Sequence, residues 1–359
     1  MKQICILCGA RPNFIKVAPL VKAIENAKRE GEAVDYHLLY AGSADDPSLE
    51  ESLFTDLGIA RPSIYLDAEA DSLNEITSQV MAQFDAHLEQ HPADVVIVVD
   101  DLASTMAAAI VTKKRGIQLA HLVAGTRSFD INMPKEINRL VIDALSDYLF
   151  TAGIKSNSVA AREQGDGGHT YMVGNILMDT LRFNRNRLQQ PAIDVAEGQY
   201  LLLTLNRKAL LNDADGLKAM IGVVEQKTQE AGVPVVASLR DLAREKVGPL
   251  LSASSAVRLC ASFPYLEFGW LVAHAKGIIT DSGNVAEEAT FNGVPCITLN
   301  SYTEHQETVS VGTNVLVGGD SAKLSEALSQ LLKGQWKPSG LPDRWDGRTS
   351  ERIVQILLP

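Results

Sequence analysis

The sequence predicts an α/β protein made of two doubly wound, Rossmann-like domains, and three observations carry that prediction. Short apolar runs rich in β-branched residues alternate with amphipathic stretches of helical period along the chain. The apolar runs, such as DVVIVV (94–99) and QYLLLTL (199–205), are continuous, as strands are in a parallel sheet covered by helices on both faces. The alternation lapses once, in RFNRNRLQQPAIDVAEG (182–198), where polar residues and a proline interrupt the period, and then restarts. A length of 359 residues suits two such domains.

In the first half KQICILC, VDYHLLY, DVVIVV and QLAHLV read as strands, with PLVKAIENAKRE, SLNEITSQVMAQFDAHLEQ and STMAAAIVTKKRG as the helices between them. In the second half QYLLLTL, VPVVAS, AVRLC, KGIITD and VPCITL read as strands. DGLKAMIGVVEQKTQEA, EFGWLVAHA, NVAEEATFNG and SAKLSEALSQLLKG read as helices. The linker places an N-terminal domain over 1–184 and a C-terminal domain over 185–348. The tail RTSERIVQILL reads as a last helix over 349–359, capped by Thr349 or Ser350 and packing back onto the first domain.

Composition narrows the function. Hydrophobic residues make up 46% and charged residues 21%, enough apolar material for two cores. The net charge of −11 opposes attraction to nucleic acid or an anionic membrane, so neither is an expected partner. Cys5, Cys8, Cys260 and Cys296 lie within apolar runs, as packed thiols do in a reducing compartment. The apolar run before Arg11 is too short for a signal sequence or a membrane span, so a cytoplasmic address is expected. Cys5 and Cys8 match C-x-x-C but fall inside a predicted strand without a second ligand pair, neither a G-x-G-x-x-G nor a G-x-x-x-x-G-K-[ST] loop occurs, and no metal or cofactor is expected.

In doubly wound sheets ligands sit beyond the carboxyl ends of the strands, which gives weight to the residues that follow each one. In TDSGNVAEE (280–288) a strand ends, Ser282 and Gly283 make a turn and a helix begins, an arrangement that can hold a phosphate. Glu287 and Glu288 follow one turn later, where a carboxylate can accept from ribose hydroxyls; the same pattern also suits a helix capped by Ser282 or Asp281. Arg11 and Lys16 flank the first strand-to-helix turn, and Arg127, Lys135 and Arg139 add cations or serve as solvated surface charges. Asp100 and Asp101 follow a buried strand, where a carboxyl group can act as general acid or base or as a helix cap. His121 and His274 lie in apolar runs and read as core histidines.

Taken in order, these segments resemble the non-hydrolysing UDP-N-acetylglucosamine 2-epimerases. GARPNFIKVAPL is similar to G-T-R-P-E-x-I-K-x-A-P, and HLVAGTRSFDINMPKEINR to H-V-E-A-G-L-R followed by P-E-E-x-N-R. VGNILMDTL resembles V-T-G-N-T-V-I-D-A-L, TDSGNVAEEATFNGVP resembles T-D-S-G-G-I-Q-E-E-A-x-x-x-G-x-P, and WDGRTSERI resembles G-D-G-x-A-x-x-R-I. The resemblance implies the glycosyltransferase-B arrangement of two Rossmann-like domains facing a cleft, UDP held mainly by the second, and a homodimer. It also implies epimerisation at C2 of UDP-N-acetylglucosamine by elimination of UDP and its re-addition to the other face. On that basis Arg11, Arg207, Ser282 and Gly283 match diphosphate-binding positions, Glu288 the ribose-binding glutamate, and Phe268 a residue near the uracil. Lys16, Arg127, Asn138 and Arg139 fall on the sugar side.

The departures fall on the chemistry. Asp101 matches the aspartate of the family's H-G-D segment, but Val99 and Asp100 stand for its histidine and glycine. Val123 replaces the glutamate of H-V-E-A-G, Lys135 the first glutamate of P-E-E, and Asn206 the histidine of G-H-R. Asn13 and Ser238 replace a further glutamate and histidine. Asp101, Glu136 and Lys135 are left as the catalytic candidates. Loss of one positioned acid or base costs about 10²–10⁴ in rate. Three functions are therefore weighed: an epimerase-like isomerase with an altered site, a catalytically silent sugar-nucleotide binder or regulator, and a transferase or hydrolase acting on a UDP-sugar.

Overall fold

Most of the apolar runs form parallel strands buried on both faces, their backbone groups paired with neighbours. The computed structural model describes residues 1–164, 168–253 and 255–358. Two units result, Met1–Phe183 with Asp343–Pro359, and Asn184–Pro342. The first holds β1 (Lys2–Cys8), β2 (Val34–Tyr40), β3 (Ile64–Tyr65), β4 (Val95–Val99), β5 (Gln118–Ala124), β6 (Tyr148–Thr151) and β7 (His169–Met172). They form a parallel sheet in the order β3-β2-β1-β4-β5-β6-β7. The second holds β8 (Leu201–Thr204), β9 (Val235–Ser238), β10 (Val257–Cys260), β11 (Gly277–Thr280), β12 (Cys296–Thr298) and β13 (Asn314–Leu316), in the order β10-β9-β8-β11-β12-β13. In each sheet the order reverses beside the unit's first strand, between β1 and β4 and between β8 and β11.

β8 shows how a continuous apolar run serves two layers. Leu201 and Leu203 pack with Leu217, Ile221 and Leu324 on one face, whereas Leu202 packs with Leu271, Ala286 and Ala289 on the other. In the first sheet Cys5 and Leu7 join Val96, Val98 and Phe84. Burial pushes the Cys5 and Cys296 thiols up to about 12, which suits packing and removes the thiolate that redox or metal chemistry needs. Among the described residues no helix is long and apolar enough to cross a membrane, and no cluster of His, Cys, Asp and Glu is arranged to hold a metal ion.

Three local expectations are corrected. The first helix begins at Arg11, eight residues before the PLVKAIENAKRE stretch, and carries Pro19 inside it. Pro19 has no N–H for the Ile15 carbonyl, and the Thr180 hydroxyl donates to that oxygen instead, at 2.5 Å. The last helix, Thr349–Leu357, is capped from a distance: the Asp179 carboxylate accepts the Thr349 N–H at 3.0 Å, the Ser350 N–H at 2.7 Å and the Ser350 hydroxyl at 2.7 Å. Pro359 lies outside the described residues. The return to the first unit begins at Asp343, ahead of the expected 349, because Trp345 is 2% exposed and its indole donates to the Ala152 carbonyl.

Removing the Thr180 hydroxyl strands a buried carbonyl, so Thr180→Val is expected to cost about 1–2 kcal/mol in urea unfolding. Pro19→Ala in the same chain restores an N–H at that position and should recover part of the loss; equal stability of the single and double variants would refute the pairing.

Candidate functional site

At the switch point of the second sheet the polypeptide turns away from β8 through Leu205-Asn206-Arg207 and from β11 through Asp281-Ser282-Gly283. Asp281, 1% exposed, ties the two turns together. Its carboxylate accepts the Asn206 N–H at 2.8 and 3.0 Å and the Arg207 N–H at 2.8 Å, while the Asn300 amide donates to its carbonyl at 3.1 Å. Below them the Thr204 and Thr280 hydroxyls sit 2.6 Å apart. With Asp281 turned backward and the Ser282 side chain making no capping bond, no side chain caps the N-terminus of the helix Gly283–Asn292. That end carries the positive pole of the helix and suits an anion.

Burial, reinforced by the adjacent Glu287, pushes the Glu288 carboxyl up to about 8. Glu287 pairs with His305 at 3.0 Å. Arg207 is exposed, its guanidinium 5.9 Å from the Tyr302 ring, and Asn206 beside it is exposed too. Phe268 lies on the helix Tyr265–Ala273, half-buried against the core of this unit.

In the first unit the switch point brings the helix Arg11–Arg29 against the end of β4. Arg11 is the first residue of that helix and half-buried. Asn13 accepts the Gly9 and Ala10 N–H groups on its Oδ1 and donates from Nδ2 to Asp100 Oδ2 at 2.8 Å. Lys16 Nζ lies 2.6 Å from Asp100 Oδ1. Asp101 faces the helix Pro134–Leu145: Arg139 donates to its Oδ2 at 2.6 and 2.9 Å, and Lys135 Nζ lies 3.2 Å from Oδ1. Burial by itself would raise the Asp101 carboxyl, but the charges and hydrogen bonds of Lys135 and Arg139 prevail and hold it low.

The expected catalytic and sugar-side residues are thus gathered at one end of the first sheet, and their partners revise several roles. Glu136, 2% exposed, accepts from the Ser128 N–H and hydroxyl, the Phe129 N–H and Arg139, a set of bonds that outweighs burial and keeps its carboxyl low. It braces the loop at Ser128 and Phe129 and lies deeper than Asp101, with a side chain 3% exposed against 12%. Arg127 has a side chain only 2% exposed, committed to Asp143 at 2.7 Å and Glu163 at 2.8 Å, so it supports the site from beneath. Asn138 donates to the Asp101 carbonyl at 2.8 Å and Arg139 is ion-paired twice, so both position Asp101. His121 is buried, as expected, with Nδ1 2.5 Å from Asp143 and Nε2 2.9 Å from the Asp100 carbonyl. Sequence reasoning missed Asp281 and Asp143 as ties between strand ends, because each acts on residues distant in the chain.

The family model for UDP-N-acetylglucosamine 2-epimerase matches residues 26–358. UDP-N-acetylglucosamine 2-epimerase of Methanocaldococcus jannaschii is 31% identical over 99% of this chain and 98% of its own. UDP-2,3-diacetamido-2,3-dideoxy-D-glucuronate 2-epimerase of Pseudomonas aeruginosa is 31% identical, with 99% of each covered. The crystal structure of the Methanocaldococcus jannaschii UDP-GlcNAc 2-epimerase in complex with UDP-GlcNAc and UDP superposes with a TM-score of 0.84 at 32% identity, covering 99% of both chains. The two parallel sheets and this likeness give the expected two-domain, glycosyltransferase-B-like α/β fold. Matched along nearly its whole length, the chain belongs to the UDP-N-acetylglucosamine 2-epimerase family.

Proposed function

We propose that this protein binds a UDP-sugar of the UDP-N-acetylglucosamine class and interconverts its C2 epimers by eliminating and re-adding UDP, with a rearranged set of proton-handling groups. The observation that carries the reading is the helix N-terminus at Ser282-Gly283, left without a side-chain cap by an aspartate turned to brace the neighbouring loop. A diphosphate seats there, with Arg207 as its cation, Glu288 takes the ribose hydroxyls and Phe268 borders the uracil. In the reaction the C2 proton leaves to a base, its electron pair forms the C1=C2 bond, and the C1–O bond breaks toward UDP. Cations and N–H groups stabilise the charge on the departing diphosphate. Lys135, its side chain 58% exposed and its ammonium 3.2 Å from Asp101, supplies a proton on one face of the sugar. Asp101 holds Lys135 and Arg139 in place.

One observation favours a second reading, a silent sugar-nucleotide binder: Val123 and Asn206 stand where the family motifs carry a glutamate and a histidine, and neither handles a proton. Proton and phosphorus NMR with UDP-N-acetylglucosamine in D₂O separates the readings. Deuterium entering C2 with appearance of the manno epimer is expected; broadened ligand lines without exchange would mark a silent binder, and UDP release without epimer a hydrolase or transferase.

The nucleotide site yields two further expectations. Ser282→Ala and Arg207→Ala should each weaken UDP binding by about tenfold or more in calorimetry, since each removes a charge-assisted or polar contact to phosphate. Unchanged affinity in both would move the diphosphate elsewhere. Because ribose hydroxyls donate to an ionised carboxylate, ligation below about pH 8 releases the Glu288 proton. UDP affinity should therefore rise with pH by up to about tenfold per unit and level off above that point, and Glu288→Gln should abolish the slope.

A further inference from the structure

Resting on the proposed reaction, we infer that the proton-accepting carboxylate of the second sugar face has moved from position 123 to Asp100, on the neighbouring strand. In the family motifs position 123 is glutamate and position 100 glycine; here they are Val123 and Asp100, so a carboxylate is lost at one and gained at the other, each one residue past the last paired rung of β4 and β5. Val99 pairs with Leu122 in the register of β4 and β5, so Asp100 and Val123 are the next residues along each strand. The Asp100 N–H donates to the Leu122 carbonyl at 3.2 Å. Both residues are left-handed, with φ of 59° and 73°, so both strands turn in the same sense at this point. Aspartate tolerates that region and glycine is at ease in it, whereas β-branched valine is strained there. The turn at Val123 persists because its surroundings impose it: a bulge interrupts the pairing of β5 with β6 between Leu122 and Ala124, and the Gly125 N–H is held by Asp143 at 3.0 Å.

Asp100 also differs from its acidic neighbours in access. Asp143 (6% side-chain exposure) is held by His121, Arg127 and the Gly125 N–H, Glu136 (3%) accepts four hydrogen bonds, and Asp101 (12%) is bound by Arg139 and Lys135. Asp100 is 18% exposed, and its carboxylate receives one donor on each oxygen, Lys16 and Asn13, which leaves lone pairs for a proton. Asn13 completes the exchange. It stands where the family carries a glutamate, and a carboxylate there would face Asp100 in place of the amide that now donates to it. In the elimination Asp100 takes the C2 proton as UDP leaves with the C1–O electrons and passes that proton to solvent; Lys135 then delivers a solvent-derived proton to the opposite face of C2 as the diphosphate oxygen rebonds to C1.

The test is C2 hydrogen–deuterium exchange on UDP-N-acetylglucosamine, read beside UDP affinity, in the wild type, Asp100→Asn, Asp100→Gly and the double variant Asp100→Gly/Val123→Glu. Asp100→Asn keeps the left-handed backbone and should lower exchange by about 10²–10⁴ without weakening UDP binding. The double variant, which rebuilds the family arrangement and leaves Lys16 without its carboxylate, should recover at least about tenfold over Asp100→Gly. Recovery separates proton transfer from mere support of Lys16. Wild-type exchange rates in Asp100→Asn would overturn the inference and leave the proposed function standing, whereas no exchange in the wild type would overturn that function and the inference with it.

Discussion

Asp281 is the tie on which the second unit's site depends. In a parallel sheet covered on both faces, strands end side by side at one edge, and the loops leaving them have no ladder to hold them. One carboxylate, 1% exposed, accepts three hydrogen bonds from two consecutive N–H groups of the loop after β8, while its own residue opens the loop after β11. The loop after β8 is held to the loop after β11 in this way, and the helix Gly283–Asn292 starts with no capping hydrogen bond from its N-cap Ser282. Had Asp281 capped its own helix, it would have placed a negative charge at the end of that helix that otherwise favours an anion.

The first unit solves the equivalent problem with charge. Asp143 joins β5, through Gly125 and His121, to the Arg127 guanidinium, and His121 reaches across to the Asp100 carbonyl at the end of β4. Asp101 in turn is joined to the helix Pro134–Leu145 by Arg139 and Lys135. Lys16 with Asp100, Lys135 and Arg139 with Asp101, and Arg127 with Asp143 and Glu163 each set opposite charges together, as low-dielectric surroundings require.

These ties explain what was legible in the sequence and what was not. The alternation of strands and helices is a local property of hydrophobic period, and the two sheets follow from it. The TDSG turn was equally local, since a strand end, a small turn residue and a helix start are contiguous. What escaped were the partners. Pro19 reads as a helix start because its consequence is repaired by Thr180, 165 residues from the Ile15 carbonyl. Thr349 and Ser350 read as caps, but the oxygen that closes their helix belongs to Asp179. Asp100 and Asp101 are indistinguishable as adjacent acids; one faces Lys16 and the other Arg139, and only the fold says which keeps access to solvent.

Those two aspartates also show why the substitutions at this end belong together. A second carboxylate beside Asp101 raises the local negative charge, and like charges in a partly buried site oppose one another unless cations or hydrogen-bond donors accompany them. Relative to the family motifs this chain gains Asp100 and loses glutamates at 13, 123 and 135, the last becoming a lysine whose ammonium lies 3.2 Å from Asp101. Had Asp100 arisen alone, it would have met a glutamate at 13 where it now meets the Asn13 amide at 2.8 Å, and Lys16 would have faced two competing anions. Had Lys135 arisen alone, Asp101 and Arg139 would have gained a cation with no added anion nearby. Together the changes keep each charge accompanied, as a partly buried cluster requires whatever its chemistry.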